Sequence, residues 1–242
     1  MYIMSNNYFQ FKQFIIYQND CGMKVSTDSV LLGCYTSVSG VRRILDVGTG
    51  TGLLAIQLSC ETDAEITAID IDESACRQAV RNVEINRKEN QITVIPADFN
   101  SYEPDRNFDL IISNPPYFKS GSPTRSTTRD LARYTGTLSH RVLIEKSQEL
   151  LEGSGTLAIC LPHQAADEVK AIADQAGLIL TRNIYVYPKT GKACYLQLLF
   201  WKKPGAAVLH PTVETENITI RDENNGYTEE YRNKTRNLYL AF

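Results

Sequence analysis

Residues 44–52 (ILDVGTGTG) decide the fold, because they join a buried strand to a helix through a glycine-rich turn. The apolar run at 43–47 predicts the strand, and the residues at 53–59 predict the helix. Glycine has no Cβ, so the turn can bend sharply and bring its backbone close to a ligand. This stretch therefore predicts a ligand-binding turn at the carboxyl end of a strand.

Strand-like and helix-like segments alternate around this turn. Apolar periodicity predicts further helices at 73–86, 139–151 and 164–176, and further strands at 65–70, 92–95, 108–113, 156–161, 178–187 and 193–202. The last two strands form a hairpin, which makes one strand antiparallel. The pattern predicts an α/β fold whose mostly parallel sheet carries helices on both faces. We expect a loop at 203–217 and a closing helix within 227–240.

Length and composition exclude several classes of protein. A chain of 242 residues suggests one domain, and no apolar run reaches the roughly 18 residues that a membrane-spanning helix needs. The amino terminus lacks a secretory pattern, so we expect a cytoplasmic protein without membrane contact. The six cysteines and three histidines show no metal-ligand spacing, which predicts that no metal is bound. The net charge of −3 means that a nucleic-acid role requires a local basic patch.

The glycine spacing and two acids indicate the ligand. Gly48, Gly50 and Gly52 depart from the GxGxxG spacing of dinucleotide sites, and Asp46 would place negative charge near a pyrophosphate. Asp70, twenty residues after Gly50, ends the next strand and can accept from both ribose hydroxyls. These features favour a cationic nucleoside, S-adenosyl-L-methionine (SAM), over NAD; a purely structural turn is the alternative.

An acid and an aromatic residue follow the strand at 92–95. Asp98 could accept a hydrogen bond from the amino group of an adenine, and Phe99 could pack on its face. A carboxylate that merely lies in a loop is the alternative for Asp98. This pair predicts the adenine end of the cofactor site.

The strand at 108–113 runs into Asn-Pro-Pro-Tyr, and this tetrapeptide predicts the chemistry. The lone pair of an exocyclic amine is delocalised into the ring, so the nitrogen is a poor nucleophile. The Asn114 side-chain oxygen and the Pro115 carbonyl can each accept one N–H and aim that lone pair at a methyl donor. Pro115 and Pro116 stiffen the backbone, and Tyr117 offers a face on which a base can stack. A simple turn after a strand is the alternative.

The order of these parts resembles the class I methyltransferases, whose sheet is Rossmann-like and seven-stranded. Residues 9–14 (FQFKQF) and 23–33 (MKVSTDSVLLG) resemble the start of one bacterial family. Its members are tRNA (adenine-N6)-methyltransferases that modify adenosine 37, next to the anticodon of a valine tRNA. The similarity continues through 129–133, 161–162 and 227–231, so it covers nearly the whole chain.

The resemblance implies SAM as the cofactor, N6 of a tRNA adenosine as the target, and a place near the cofactor for Lys24, Thr27 and Asp28. Without it, a lysine and an aspartate before a helix are a surface charge and a helix cap. The family usually has glycine where this chain has Ser26 and Ser29. We expect neither serine to touch the residues of methyl transfer.

A basic segment follows the tetrapeptide and predicts where RNA lies. Six basic residues stand against two acids between 119 and 146, and Arg125, Arg129 and Arg133 recur every four residues, on one face of a helix. We predict RNA contacts for these arginines and for Lys119. Lys12 and the carboxyl-terminal basic residues Arg232, Lys234 and Arg236 could extend this track. A solvated charged face is the alternative.

We expect one methyltransferase domain, with an extension at 1–40, a Rossmann-like core at 41–202 and a second extension at 203–242. The expected partner is tRNA, with no obligate protein partner and a monomeric state. Other possible substrates are a protein glutamine amide, which the short amino-terminal segment disfavours, and adenine in ribosomal RNA or DNA. A non-catalytic RNA-binding protein is the alternative of a different class.

Overall fold

The computed structural model describes residues 7–19, 24–115, 138–205 and 212–242. The strands are β1 (Tyr8–Gln10), β2 (Ile15–Tyr17), β3 (Arg43–Val47), β4 (Glu65–Asp70), β5 (Ile92–Pro96), β6 (Phe108–Ser113), β7 (Leu151–Pro162), β8 (Ile179–Lys189), β9 (Leu196–Lys202) and β10 (Glu214–Arg221). The helices are α1 (Thr27–Tyr35), α2 (Leu53–Ser59), α3 (Glu73–Ile85), α4 (His140–Leu150), α5 (His163–Gln175) and α6 (Glu229–Thr235). Across these ranges, no helix has both the length and the apolarity needed to cross a membrane.

The main sheet has the strand order β10-β8-β9-β7-β6-β3-β4-β5. All neighbouring pairs are parallel except the two that involve β9, which runs antiparallel to both β7 and β8. The predicted mostly parallel sheet with one antiparallel strand is therefore confirmed. Since each parallel crossover places a helix against the sheet, the carboxyl ends of β3 to β7 meet at one edge.

The predicted helices on both faces of the sheet are also confirmed, because successive strand residues enter two separate core clusters. Ile44 packs in a cluster with residues of α1 and α2, whereas its neighbour Leu45 packs in a second cluster with residues of α4 and α5. Side chains alternate across a strand, so a strand covered on both faces reads as an unbroken apolar run. This explains the continuous apolar pattern of β3.

The strand β10 replaces part of the predicted loop at 203–217 and adds an eighth strand, parallel to β8, at the sheet edge. Ile218 and Ile220 are buried, and the guanidinium of Arg182 on β8 forms ion pairs with Glu214 and Glu216 on β10. The acidic first half of β10 hides its period-two pattern, which is why the sequence suggested a loop. The closing helix is shorter than the predicted span.

The amino-terminal hairpin of β1 and β2, which was not predicted, is attached to α3 through two asparagine side chains. The carboxamide of Asn82 accepts from Tyr17 N at 2.9 Å and donates to Tyr17 O at 2.8 Å. Asn86 does the same with Ile15, at 2.9 Å and 2.8 Å. Because each carboxamide satisfies both backbone groups of one residue, it acts as a further strand partner. This contact holds the hairpin on α3, which packs against β4 and the edge strand β5.

Candidate active site

The sheet register places the predicted site residues in one row. Val47 lies opposite Ser113 of β6 and Ile69 of β4, while Asp70 lies opposite Pro96 of β5. The ends of β5, β4, β3 and β6 are therefore neighbours in that order. Three strand spacings of about 4.8 Å make this row about 14 Å long. A long ligand can lie along it, with one end near β5 and the other near β6.

Asp46 lies directly beneath the glycine turn and is fully buried. Its Oδ2 accepts a hydrogen bond from Thr49 Oγ1 at 2.6 Å, and its Oδ1 has no hydrogen-bond partner within the described residues. Burial raises the pKa of the Asp46 carboxyl to about 7, although the hydrogen bond from Thr49 opposes part of the rise. The carboxyl therefore titrates close to neutral pH.

This pKa predicts that ionisation of Asp46 destabilises the fold as the pH rises. The pKa of the Asp46 carboxyl is 3.8 in the unfolded chain and about 7 in the folded chain, so the folded chain binds more protons at pH values between these two. The free energy of unfolding then falls between pH 4 and pH 7, by at most about 1.4 kcal/mol per pH unit from this group. Asp46→Asn removes this contribution. Urea unfolding of both proteins at pH 5 and pH 7 tests this prediction. An equal change in the free energy of unfolding between the two pH values in both proteins would contradict it.

The glycine turn is held to the end of β4. Gly50 N donates to Asp70 Oδ2 at 2.9 Å, and Gly48 N donates to Ile69 O at 2.9 Å. Gly48, Gly50 and Gly52 all have positive φ, at 72°, 57° and 80°, which glycine adopts without strain. A Cβ on Gly48 would meet no atom within 4 Å, so the turn leaves open space there. The second oxygen of Asp70 accepts from the backbone N–H of Asp72 at 2.9 Å, and burial raises the pKa of the Asp70 carboxyl.

Near the ends of β4 and β5, the exposed apolar side chain is Ile71 and not Phe99. Asp98 Oδ1 accepts from Asn100 N at 2.9 Å and from Asn100 Nδ2 at 2.7 Å. Phe99 is only 4% exposed and packs in the second core cluster, so little of its ring faces solvent. Ile71, which follows Asp70, is 61% exposed. Ile71 was not predicted from the sequence, where its signal is an apolar residue directly after the strand-end acid.

Asn114 lies at the end of β6, next to the glycine turn. Ser113 Oγ donates to Val47 O at 2.8 Å and ties the ends of β6 and β3 together. Asn114 is 8% exposed and Pro115 is buried. A small cleft brings Asn114 together with the turn and with α1; its lining residues include Lys24, Ser29, Gly48, Thr49, Gly50, Thr51 and Asn114. This cleft unites residues from three separate parts of the chain.

Ser29 overturns one prediction. Asn114 Nδ2 donates to Ser29 Oγ at 2.6 Å, so this serine does touch a residue assigned to methyl transfer. The two residues are 85 positions apart, and the contact is possible because α1 packs against α2 and against β7, the strand next to β6. In the sequence, the one sign of this contact was that the chain has Ser29 where the family usually has glycine.

Lys24, Thr27 and Asp28 lie at or just before the start of α1. Lys24 is exposed and lines the cleft. Thr27 is the first residue of α1, directly after the N-cap Ser26. Asp28 Oδ1 accepts a hydrogen bond from Tyr195 Oη at 2.8 Å. Of these three, Lys24 is the one that the fold brings to the cleft.

Several predicted site residues lie outside the described residues: Pro116, Tyr117, Lys119, Arg125, Arg129 and Arg133. The further basic residues contact the chain itself. Lys12 Nζ donates to the main-chain oxygens of Arg236 and Phe242, at 2.7 Å and 2.6 Å. Lys234 Nζ lies 3.8 Å from the centre of the Tyr35 ring, and burial lowers the pKa of its ammonium group. The structure thus assigns intramolecular contacts to both lysines.

A larger cleft, of about 850 Å³, lies at the opposite, amino-terminal edge of the sheet. Its polar groups bind one another: Asp109 Oδ2 accepts from the backbone N–H groups of Arg42 and Arg43, each at 2.9 Å, and Arg106 pairs with Glu65 at 3.2 Å. In open α/β sheets, ligands bind at the carboxyl ends of the strands. We therefore place the candidate site at the smaller cleft.

Comparison with known proteins agrees with this geometry. Residues 25–169 match the family model of the methyltransferase small domain. The chain is 39% identical over 239 residues to the tRNA1(Val) (adenine(37)-N6)-methyltransferase of Bacteroides thetaiotaomicron, covering 98% of this chain and 99% of that protein. It is also 39% identical over 239 residues to the enzyme of the same name from Tolumonas auensis, covering 98% of each chain.

Solved structures show the same fold at low identity. A predicted O-methyltransferase from Agrobacterium tumefaciens is 18% identical with a TM-score of 0.67, covering 87% of this chain and 96% of its own. The N-methyltransferase NodS from Bradyrhizobium japonicum, in complex with S-adenosyl-L-homocysteine, is 18% identical with a TM-score of 0.52, covering 73% of this chain and 85% of its own. The predicted class I methyltransferase fold is therefore confirmed.

Proposed function

Because the chain belongs to the family of the tRNA1(Val) (adenine(37)-N6)-methyltransferases, we propose that it transfers a methyl group from SAM to N6 of adenosine 37 in a valine tRNA. The observation that carries this proposal is the position of Asn114, at the end of β6 and in one cleft with the glycine turn. Both halves of the reaction, cofactor binding and amine activation, thus have candidate residues at the same edge of the sheet.

The residues in and beside the cleft fit SAM in three respects. The open space at Gly48, where φ is 72°, lets a ligand approach the backbone closely. Asp70 at the end of β4 retains lone pairs that can accept from two ribose hydroxyls. Ile71, 61% exposed beside it, offers an apolar surface to the flat base. We assign the ribose to Asp70, the adenine to Ile71 and Asp98, and the amino-acid end to the turn and Lys24.

The anionic form of Asp46 complements a cationic ligand. SAM supplies, when bound, a methyl group on a positively charged sulfur, which makes that methyl carbon electrophilic. A positive charge near the turn favours the ionised form of Asp46, whose pKa burial raises to about 7. In the proposed site, Asp46 therefore acts through its charge and its hydrogen bond to Thr49, and it does not contact the reacting atoms.

Asn114 and Pro115 prepare the target nitrogen. The amino group of adenine has two N–H bonds, and the Asn114 Oδ1 and Pro115 carbonyl oxygens accept one each. This arrangement withdraws the nitrogen lone pair from the ring and directs it at the methyl carbon. With SAM bound, the N–C bond would form as the S–C bond breaks, and one N–H proton would leave to solvent from the nitrogen held by Asn114 and Pro115. Pro116 stiffens the segment and Tyr117 stacks on the target base in this proposal.

The RNA side of the proposal depends on residues named from the sequence. We propose that Lys119, Arg125, Arg129 and Arg133 contact the phosphate backbone next to the target base. The extensions at 1–40 and 203–242 complete one methyltransferase domain around the core at 41–202. We further propose that the protein acts in the cytoplasm as a monomer on tRNA.

The proposed function predicts a specific labelling result. Purified protein, incubated with methyl-labelled SAM and a valine tRNA transcript, is expected to transfer label that co-migrates with N6-methyladenosine after digestion. A transcript with guanosine at position 37 is the matched control and is expected to accept no label. Ribosomal RNA, duplex DNA and a protein extract are assayed in parallel.

Two outcomes contradict the proposal in different ways. Label found only in protein moves the target of Asn114 to a glutamine amide. Label in the guanosine transcript at the same level moves the modification to another adenosine of the tRNA.

A further inference from the structure

A short chain of hydrogen bonds connects the start of α1 to the carboxamide of Asn114. Asn114 Nδ2 donates to Ser29 Oγ at 2.6 Å, and Ser29 Oγ lies 3.2 Å from Ser26 Oγ. Ser26 is the N-cap of α1, and its Oγ also accepts from Ser29 N at 3.2 Å. Ser29 and Asn114 are each at most 9% exposed, so water has little access to this contact.

The donors and acceptors of this chain can be followed from Asn114 to Ser26. A carboxamide nitrogen only donates, so Ser29 Oγ accepts from Asn114 and retains its own proton for Ser26 Oγ. Ser26 Oγ accepts in the way that an N-cap hydroxyl does at the start of a helix. In this arrangement the Nδ2 end of the Asn114 carboxamide faces Ser29.

We propose that Ser29 is a positioning residue for methyl transfer, which orients the Asn114 carboxamide so that Oδ1, and not Nδ2, faces the target amine. This inference rests on the proposed function. A carboxamide is nearly symmetric in shape, but rotation by 180° exchanges an acceptor for a donor. A donor facing the amine cannot accept its N–H, so the wrong orientation is inactive. The buried hydrogen bond to Ser29 holds the carboxamide in the orientation seen in the structure, with Nδ2 on the serine.

The helix itself does not need the Ser29 hydroxyl. Ser26 caps α1 by accepting from the backbone N–H of Ser29, and this bond is independent of the Ser29 side chain. Alanine is also a better helix former than serine. Ser29→Ala therefore removes the contact to Asn114 and leaves the cap in place.

The decisive experiment compares Ser29→Ala with Ser59→Ala. Ser59 is also buried in a helix, at 4% exposure, but its hydroxyl donates to Ile56 O at 2.8 Å, and it does not line the cleft. With the valine tRNA transcript as substrate, Ser29→Ala is expected to lower kcat by roughly 10- to 100-fold. The KM for tRNA and the Kd for SAM stay within about threefold of wild type. Ser59→Ala keeps kcat within about twofold.

A double variant separates positioning from a general structural effect. If Ser29 acts through Asn114, then adding Ser29→Ala to Asn114→Ala lowers kcat by less than about twofold further, because the carboxamide is already absent. If Ser29→Ala lowers kcat in the Asn114→Ala background by the same factor as in the wild type, the proposal is overturned, since the hydroxyl then acts elsewhere. A normal kcat for Ser29→Ala, or a parallel loss of SAM affinity, overturns it as well. Failure of the wild-type protein to methylate the transcript overturns the proposed function itself.

Discussion

Replacing Asn114 with alanine is expected to lower kcat for tRNA methylation by about two to three orders of magnitude. The side-chain oxygen accepts one N–H of the target amine in the proposed reaction, and alanine leaves that N–H without a partner when the lone pair must turn towards the methyl carbon. Single-turnover rates with labelled SAM and the valine tRNA transcript measure this step. Calorimetry is expected to show SAM affinity within about threefold of wild type, because the cofactor acids are unchanged.

Asn107→Ala is the matched control for this result. Asn107 precedes β6, whereas Asn114 follows it, and its carboxamide makes a long contact, 3.5 Å, to Leu151 O. The same chemical change at the opposite end of the strand is expected to leave kcat within about twofold. If Asn114→Ala retained more than a tenth of the wild-type kcat, the amine would have to be activated by another group.

The second large effect is expected at Asp70. Asp70→Ala removes the acceptor of Gly50 N and the proposed acceptor of the ribose hydroxyls. Hydrogen bonds to a charged group contribute roughly 1.5 to 3 kcal/mol each, so the loss of one or two raises the Kd for SAM by about 100-fold. Calorimetric titration measures this directly. The kcat at saturating SAM is expected to change much less, since Asp70 does not touch the reacting atoms.

Asp109→Ala is the control variant, because it also removes a carboxylate that accepts hydrogen bonds from backbone N–H groups. Asp109 accepts from two backbone N–H groups, as Asp70 does, but at the amino-terminal edge of the sheet. Both variants are expected to lose folding stability, and only Asp70→Ala is expected to lose SAM affinity. Equal Kd values for the two variants would show that Asp70 supports the turn without contacting the cofactor.

The parts of this site that are local in the chain could be predicted from the sequence. The turn at 48–52 needs glycines because three of its residues have positive φ, and Asp70 is the last residue of β4, where the strand pattern stops. Resemblance to known sequences then predicted the family, and comparison with curated relatives confirmed that family. The order of the parts along one sheet edge then followed from the parallel topology.

The parts that were missed depend on contacts between distant segments. The burial of Phe99, 4% exposed in a core cluster with residues of β3, β6 and α4, and the exposure of Ile71 both depend on such contacts. The strand β10 depends on pairing with β8, where Arg182 offsets the acidic residues that make the segment look like a loop. Neither outcome is visible in a window of neighbouring residues.

The sequence by itself thus determined the α/β order, the glycine turn, the acids at the strand ends, the Asn-Pro-Pro-Tyr segment and the family. These depend on backbone freedom, apolar periodicity and residue chemistry, which act between residues close in the chain. Only the tertiary structure decided that Ser29 holds the carboxamide of Asn114, 85 positions away, and that Asp46 is buried with a pKa of about 7. The physical reason is that burial and hydrogen-bond partners come from packing α1 and the glycine turn over the sheet edge, and that packing depends on the whole fold.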